Sequence, residues 1–110
     1  MAYTLHYYSE ALQTEILAMP AGILADYLRL ADLLVEFGPR LRLPHSRAMG
    51  EGLFELRPKG REGIGRVFYC YLSGQRVTVL HAFVKKTAET PPKELKTAQK
   101  RLKEIKDANP

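Results

Sequence analysis

The 110-residue sequence holds one cysteine, Cys70, and no tryptophan. A lone cysteine excludes an internal disulfide and fits a reducing, cytoplasmic setting. Long apolar runs are missing too. The longest candidate, Ile23–Phe37, is broken by Asp26, Arg29, Asp32 and Glu36, which excludes a membrane span. The first residues, Met-Ala-Tyr-Thr-Leu-His, have neither the basic nor the apolar region of a signal peptide. Histidines are few. His6, His45 and His81 lie far apart, and no Cys/His pair has the spacing of metal ligands, so no metal site is expected. No phosphate-binding Gly-x-x-x-x-Gly-Lys-Ser/Thr loop occurs. Gly60-Arg-Glu-Gly-Ile-Gly65 is glycine-rich but falls between two strand-like segments, so no dinucleotide cofactor is expected. There is no repeat, low-complexity tract or linker.

What remains is the composition of an ordinary globular chain, and its length suits one domain over residues 1–110. Such a chain buries well over half of its unfolded surface without a staple. Charge is unevenly placed. The net charge is +5, with residues 1–56 at −3 and residues 57–110 at +8. Between Arg57 and Lys86 stand seven cations (Arg57, Lys59, Arg61, Arg66, Arg76, Lys85, Lys86) and one anion, Glu62. A basic half of this kind favours a polyanion, usually nucleic acid, because neutralised phosphates release counterions. The plainer alternative is a solvated basic surface that keeps the protein soluble.

Tyr3–Tyr8 is rich in aromatics and predicts a first strand. Ser9 is a good N-cap with Glu10 behind it, and Leu12, Ile16 and Met19 follow at helical spacing. After Pro20, Ile23, Tyr27, Leu30, Leu34 and Phe37 repeat every three or four residues. Leu24, Leu28, Ala31 and Val35 form a second row, so this helix is expected to cover a sheet. Gly38-Pro39 stops it. Residues 40–50 are expected as a loop, and Leu53–Arg57 as a strand. The Gly60–Gly65 stretch reads as a turn. Arg66–Leu72 and Arg76–Val84 are predicted strands of a hairpin closed by Ser73-Gly74-Gln75. A last helix, capped by Thr90 with Pro91 at its first position, carries Leu95, Ala98, Leu102 and Ile105 on one stripe. The order β-α-α-β-β-β-α defines an α+β domain, an antiparallel sheet covered by helices.

Strand alternation places candidate charges on faces. Glu55 and Arg57 share one side of their strand, and Arg66, Phe68 and Cys70 share one side of theirs. Val77, Val79, His81, Phe83 and Lys85 alternate with Thr78, Leu80, Ala82, Val84 and Lys86. Pairing then lets Arg57, Arg66 and one of the two lysines converge on one sheet face or edge. Guanidinium and ammonium donors on a rigid sheet suit a phosphate. Cys70 reads as a core filler, and Tyr69 and Tyr71 as packing residues. His81 sits in an apolar strand, where an interior histidine is the common case, and it is also a candidate general base.

Six segments carry a resemblance: Leu-Leu-Val-Glu-Phe-Gly-Pro (33–39), Leu-Pro-His-Ser-Arg (43–47), Gly-Leu-Phe-Glu-Leu-Arg (52–57), Arg-Val-Phe-Tyr (66–69), Leu-His-Ala-Phe-Val-Lys-Lys-Thr (80–87) and Thr-Pro-Pro-Lys-Glu-Leu-Lys-Thr-Ala (90–98). In this order they resemble the RelE/HigB superfamily of bacterial toxins, in its phage-derived HigB-like branch. The resemblance implies a small antiparallel sheet with two N-terminal helices and a C-terminal helix. It implies the toxin half of a type II toxin–antitoxin pair, a ribosome-dependent endoribonuclease that cuts mRNA. The implied partners are mRNA, the ribosome and a cognate antitoxin with a helix-turn-helix domain. Arg57, Arg66, Lys85 and Lys86 take the functional basic positions, with His81 as a further catalytic candidate. Lys59, Arg61 and Arg76 are candidate RNA contacts. The implied chemistry needs no metal: the 2′-OH attacks the adjacent phosphodiester, leaving a cyclic phosphate and a 5′-hydroxyl. In one respect the chain departs from several relatives, which place a Tyr or His near the C-terminus. Here no Tyr follows Tyr71 and the only later His is His81, so the general base is unassigned. A non-catalytic nucleic-acid-binding relative of phage origin is the alternative reading.

Overall fold

The computed structural model describes residues 2–85 and 89–109. Strand β1 (Thr4–Tyr7) leads into helix α1 (Glu10–Leu17), whose first turn is closed by the Ser9 hydroxyl accepting the Leu12 N–H at 3.1 Å. Helix α2 (Ala21–Phe37) turns Ile23, Tyr27, Leu30, Ala31 and Leu34 inward. Of its second apolar row only Ala31 is buried, and Leu28 faces outward. The helix ends at Gly38, at a φ of 55°, a backbone conformation that glycine adopts readily. A β-carbon there would collide with the Tyr3 ring.

A single turn of 3-10 helix (Gly38–Arg40) follows, then β2 (Ser46–Gly50), β3 (Leu53–Leu56), β4 (Lys59–Gly60), β5 (Gly63–Leu72), β6 (Arg76–Lys85) and helix α3 (Pro92–Ala108). The α+β architecture is the expected one, but the expected Gly60–Gly65 turn shrinks to Arg61 and Glu62 between β4 and β5, and three larger departures stand beside it. The first is β2, which lies where a loop was expected. It pairs antiparallel with β3 across a reversal in which Gly50, Glu51 and Gly52 all have positive φ. The second concerns direction. The sheet runs β1-β6-β5-β3-β2, with β4 hydrogen-bonded to β5, and β1 lies parallel to β6 while the other pairs are antiparallel. Helices α1 and α2 carry the chain across the sheet, so β1 and β6 meet side by side in the same direction.

The third departure corrects the predicted alternation of β6. Phe68 pairs with His81 but Tyr69 pairs with Val79, so Leu80 is an extra residue, a β-bulge. The phase slips by one at that point. Val77 and Val79 join one core, with Leu12, Tyr27, Leu34, Val67 and Tyr69. Leu80 and Phe83 join the other, with Phe68, Cys70, Ala98 and Leu102. Helices α1 and α2 thus cover one face of the sheet and α3 the other. The α3 stripe of Leu95, Ala98, Leu102 and Ile105 is the predicted one, although the helix starts one residue later, with Pro91 at its cap. Cys70 is fully buried in this second core, and burial pushes its thiol up. Among the described residues no helix is long and apolar enough to cross a membrane.

Candidate functional site

The strand register assembles a cationic row. Leu56 pairs with Val67, and two residues on the Gly65 N–H donates to the Pro58 carbonyl at 2.8 Å, so Arg57 lies opposite Arg66. On its other side the Arg57 N–H donates to the His45 carbonyl at 3.0 Å, extending the β2–β3 ladder by one step. On β6, Phe83 pairs with Arg66 and Lys85 with Ile64. Four neighbouring chain segments therefore bring His45, Arg57, Arg66 and Lys85 to one end of the sheet. Adjacent strands stand about 4.8 Å apart, which places His45 and Arg66 backbones roughly 10 Å from each other.

At the centre is a carboxylate that the sequence reading did not single out. Glu55 is 1% exposed. Its Oε1 accepts from Arg57 Nη1 at 2.8 Å and lies 3.6 Å from Arg66 Nε. Arg66 is itself buried, and its Nη1 donates to the Gly65 carbonyl at 2.7 Å. Burial lowers the proton affinity of Arg66, and the Arg57 charge beside it adds to the effect. Lys85 is also buried, and its Nζ donates to Thr90 Oγ1 at 3.4 Å. Burial and then repulsion from Arg66 hold its pKa below the usual lysine value. Two arginines thus hold one buried carboxylate, Lys85 stands on the next strand, and the three cations outnumber Glu55.

A cavity of about 370 Å³ opens beside this cluster. Its charged and polar lining comes from Asp26 and Arg29 of α2, His45, Arg57, Lys59 and Arg66, with Leu30, Pro44 and Ile64 as apolar wall. Asp26 is a structural clamp. It accepts the Lys59 backbone N–H at 2.9 Å and Arg29 Nε at 2.9 Å. Burial alone would raise its pKa, but these donors outweigh it and hold the carboxyl below its usual value.

The other predicted positions fall elsewhere. His81 does not line the cavity. Its Nε2 bonds Glu94 Oε1 of α3 at 2.8 Å, and its ring stacks near Phe83. Arg76 begins β6 at the far end of the hairpin, roughly 20 Å along the strand from the Arg66 level. There its Nε donates to the Ser73 carbonyl at 2.8 Å. Arg61 is exposed in the turn between β4 and β5. Lys59 is exposed as well, at the cavity rim. Lys86 lies outside the described residues. Sequence reasoning also passed over His45. No pattern in the sequence marks it, because its place beside Arg57 comes from the pairing of β2 with β3.

Two guanidiniums are fixed by a shared carboxylate with a concave opening at their side, and guanidiniums are donors of the kind that suit a phosphate. Fold and site together define a small α+β domain with a cationic sheet end. The model of the phage-derived protein Gp49-like (DUF891) family matches residues 14–103, and the chain belongs to that family, which is RelE/toxin-like in kind. No curated protein sequence matches the chain.

Proposed function

We propose that this protein is the toxin of a type II toxin–antitoxin pair of the HigB-like branch, an endoribonuclease that cuts mRNA on the ribosome. The observation that carries the reading is the convergence of Arg57 and Arg66 on the buried Glu55 beside an open cavity that both arginines line, with Lys85 on the adjoining strand. Membership of the Gp49-like family is compatible with it.

In this reading the scissile phosphate binds at the two arginines. The 2′-oxygen forms a bond to phosphorus, the bond to the 5′-oxygen breaks, and a 2′,3′-cyclic phosphate and a 5′-hydroxyl result. Negative charge grows on the non-bridging oxygens as the new bond forms. Arg57 and Arg66 are already held in place by Glu55 and stabilise that charge without reorganising. Lys85 supplies a third cation whose proton is held less tightly than usual. Lys86 shares that role by resemblance. Lys59 and Arg61, at the rim and the turn, contact flanking phosphates, and Arg76 meets a more distant one. The excess of cations is also what a cognate antitoxin with an acidic segment would neutralise.

The test is mRNA cleavage in a purified translation system, with and without ribosomes. Arg57→Ala is the better variant, because Arg57 is partly exposed while Arg66 is buried. Arg66→Lys accompanies it as a charge-conserving change. Cleavage only with ribosomes, lost in Arg57→Ala and weakened in Arg66→Lys, is expected. Salt-sensitive RNA binding with no cyclic-phosphate product would refute the nuclease and favour a binding protein.

A further inference from the structure

The proposed cleavage needs a proton acceptor for the 2′-hydroxyl, and this inference rests on that reading. Among the groups lining the cavity, arginines and lysines are donors. Asp26, the one carboxylate in the lining among the described residues, is committed to the Lys59 N–H and to Arg29. Glu55, next to the cavity, is committed to Arg57 and Arg66. His45 is different. It lines the cavity, its carbonyl receives the Arg57 N–H, and its imidazole makes no hydrogen bond or ion pair among the described residues. A neutral imidazole presents one acceptor nitrogen, and histidine exchanges protons near neutral pH.

We infer that His45 is the general base of the cleavage step. Its free ring nitrogen takes the 2′-hydroxyl proton as the 2′-oxygen bonds to phosphorus. The 5′-oxygen leaves and takes a proton from solvent, and His45 later returns its own proton to solvent. The β2–β3 register fixes the distance from this base to the phosphate-binding arginines, because His45 and Arg57 are hydrogen-bonded neighbours. His45 thereby fills the general-base position that the sequence leaves open, and His81, tied to α3, is not required for it.

The experiment is single-turnover cleavage of a ribosome-bound mRNA across a range of pH, comparing wild type, His45→Gln and His45→Ala. Thermal unfolding of each variant checks the fold. The expected result is a rate about 100-fold lower in both variants, as for loss of a general base. The acidic limb of the wild-type pH–rate profile should flatten, and free imidazole should restore cleavage to His45→Ala. Full-rate cleavage by a folded His45→Gln overturns the assignment and leaves the nuclease reading intact. A slower variant with the wild-type pH profile and no imidazole rescue also overturns it, because His45 would then only shape the cavity. Wild-type protein that cuts nothing removes the nuclease reading and His45's role together.

Discussion

Changing Glu55 to glutamine removes one negative charge from among three cations and alters little else in shape. The carboxylate side chain is 2% exposed, and those of Arg57 and Arg66 are 27% and 7% exposed. At the observed separations, with an effective dielectric near 20, each ion pair carries roughly 5 kcal/mol of gross attraction. Most of that offsets the cost of desolvating the three groups. The quantity that a mutation reads is the charge left unpaired, about 3–5 kcal/mol for a buried pair that loses one member. Glutamine still offers Arg57 an acceptor oxygen, so the low end, about 3 kcal/mol, applies. For a chain of this size that lowers Tm by about 15 °C. A second effect has the opposite sign. With the Glu55 charge gone, the cluster should bind sulfate or phosphate more tightly than wild type, and the bound anion should restore part of the lost Tm. Thermal unfolding followed by circular dichroism, with and without sulfate at constant ionic strength, reads both effects. A Glu55→Gln protein that melts within about 2 °C of wild type, a change below roughly 0.5 kcal/mol, would refute the view that Glu55 organises the arginines.

Gly38→Ala should lose about 2 kcal/mol, from positive-φ strain and from the overlap with Tyr3, and a urea midpoint shift at unchanged slope would show it. Alkaline pH is a third lever. Burial pushes Tyr27, Tyr69 and Tyr71 above their ordinary value of 10.0, so the folded state holds those protons more tightly than the unfolded one. Their contribution is fully present below pH 10 and is lost as pH rises past it, at about 1.4 kcal/mol per pH unit for each tyrosine. Lys85 works the other way, since its depressed pKa means stability recovers as pH climbs toward 10.5. Three tyrosines outweigh one lysine, so unfolding should set in above pH 10. Tyrosinate absorbance near 295 nm should then rise cooperatively with the loss of circular dichroism, and a smooth titration of all six tyrosines in folded protein would contradict their burial.

The parts of the fold that repeat were readable from the chain. The α2 rows, the β5–β6 hairpin and the α3 stripe each announce themselves by period, because each buries one side against one core. Strand β2 does not. Ser-Arg-Ala-Met-Gly has no alternation to detect, since an edge strand buries little and is held by its backbone ladder. The bulge at Leu80 was invisible for another reason. The stretch from Val77 to Val84 is apolar or small at nearly every position, so a slip of phase leaves no mark in the pattern. For the site, the convergence of Arg57, Arg66 and a lysine follows from alternation and antiparallel pairing. Glu55 and His45 needed three dimensions. Glu55 is buried between Arg57 of its own segment and Arg66 of the neighbouring strand, and His45 reaches the cavity only because β2 exists.

The parallel β1–β6 pair, with Thr4 beside Arg76, joins the start of the chain to its last strand. Contacts between such distant partners close late, since the loop between them must be ordered first. Lys85 and the Thr90 hydroxyl it reaches come later still in the order of synthesis. A growing polypeptide therefore has the arginines before it has the strand that completes their surroundings. If the finished protein attacks translating ribosomes, the ribosome that makes it holds an unassembled chain until residues beyond Thr90 have been added.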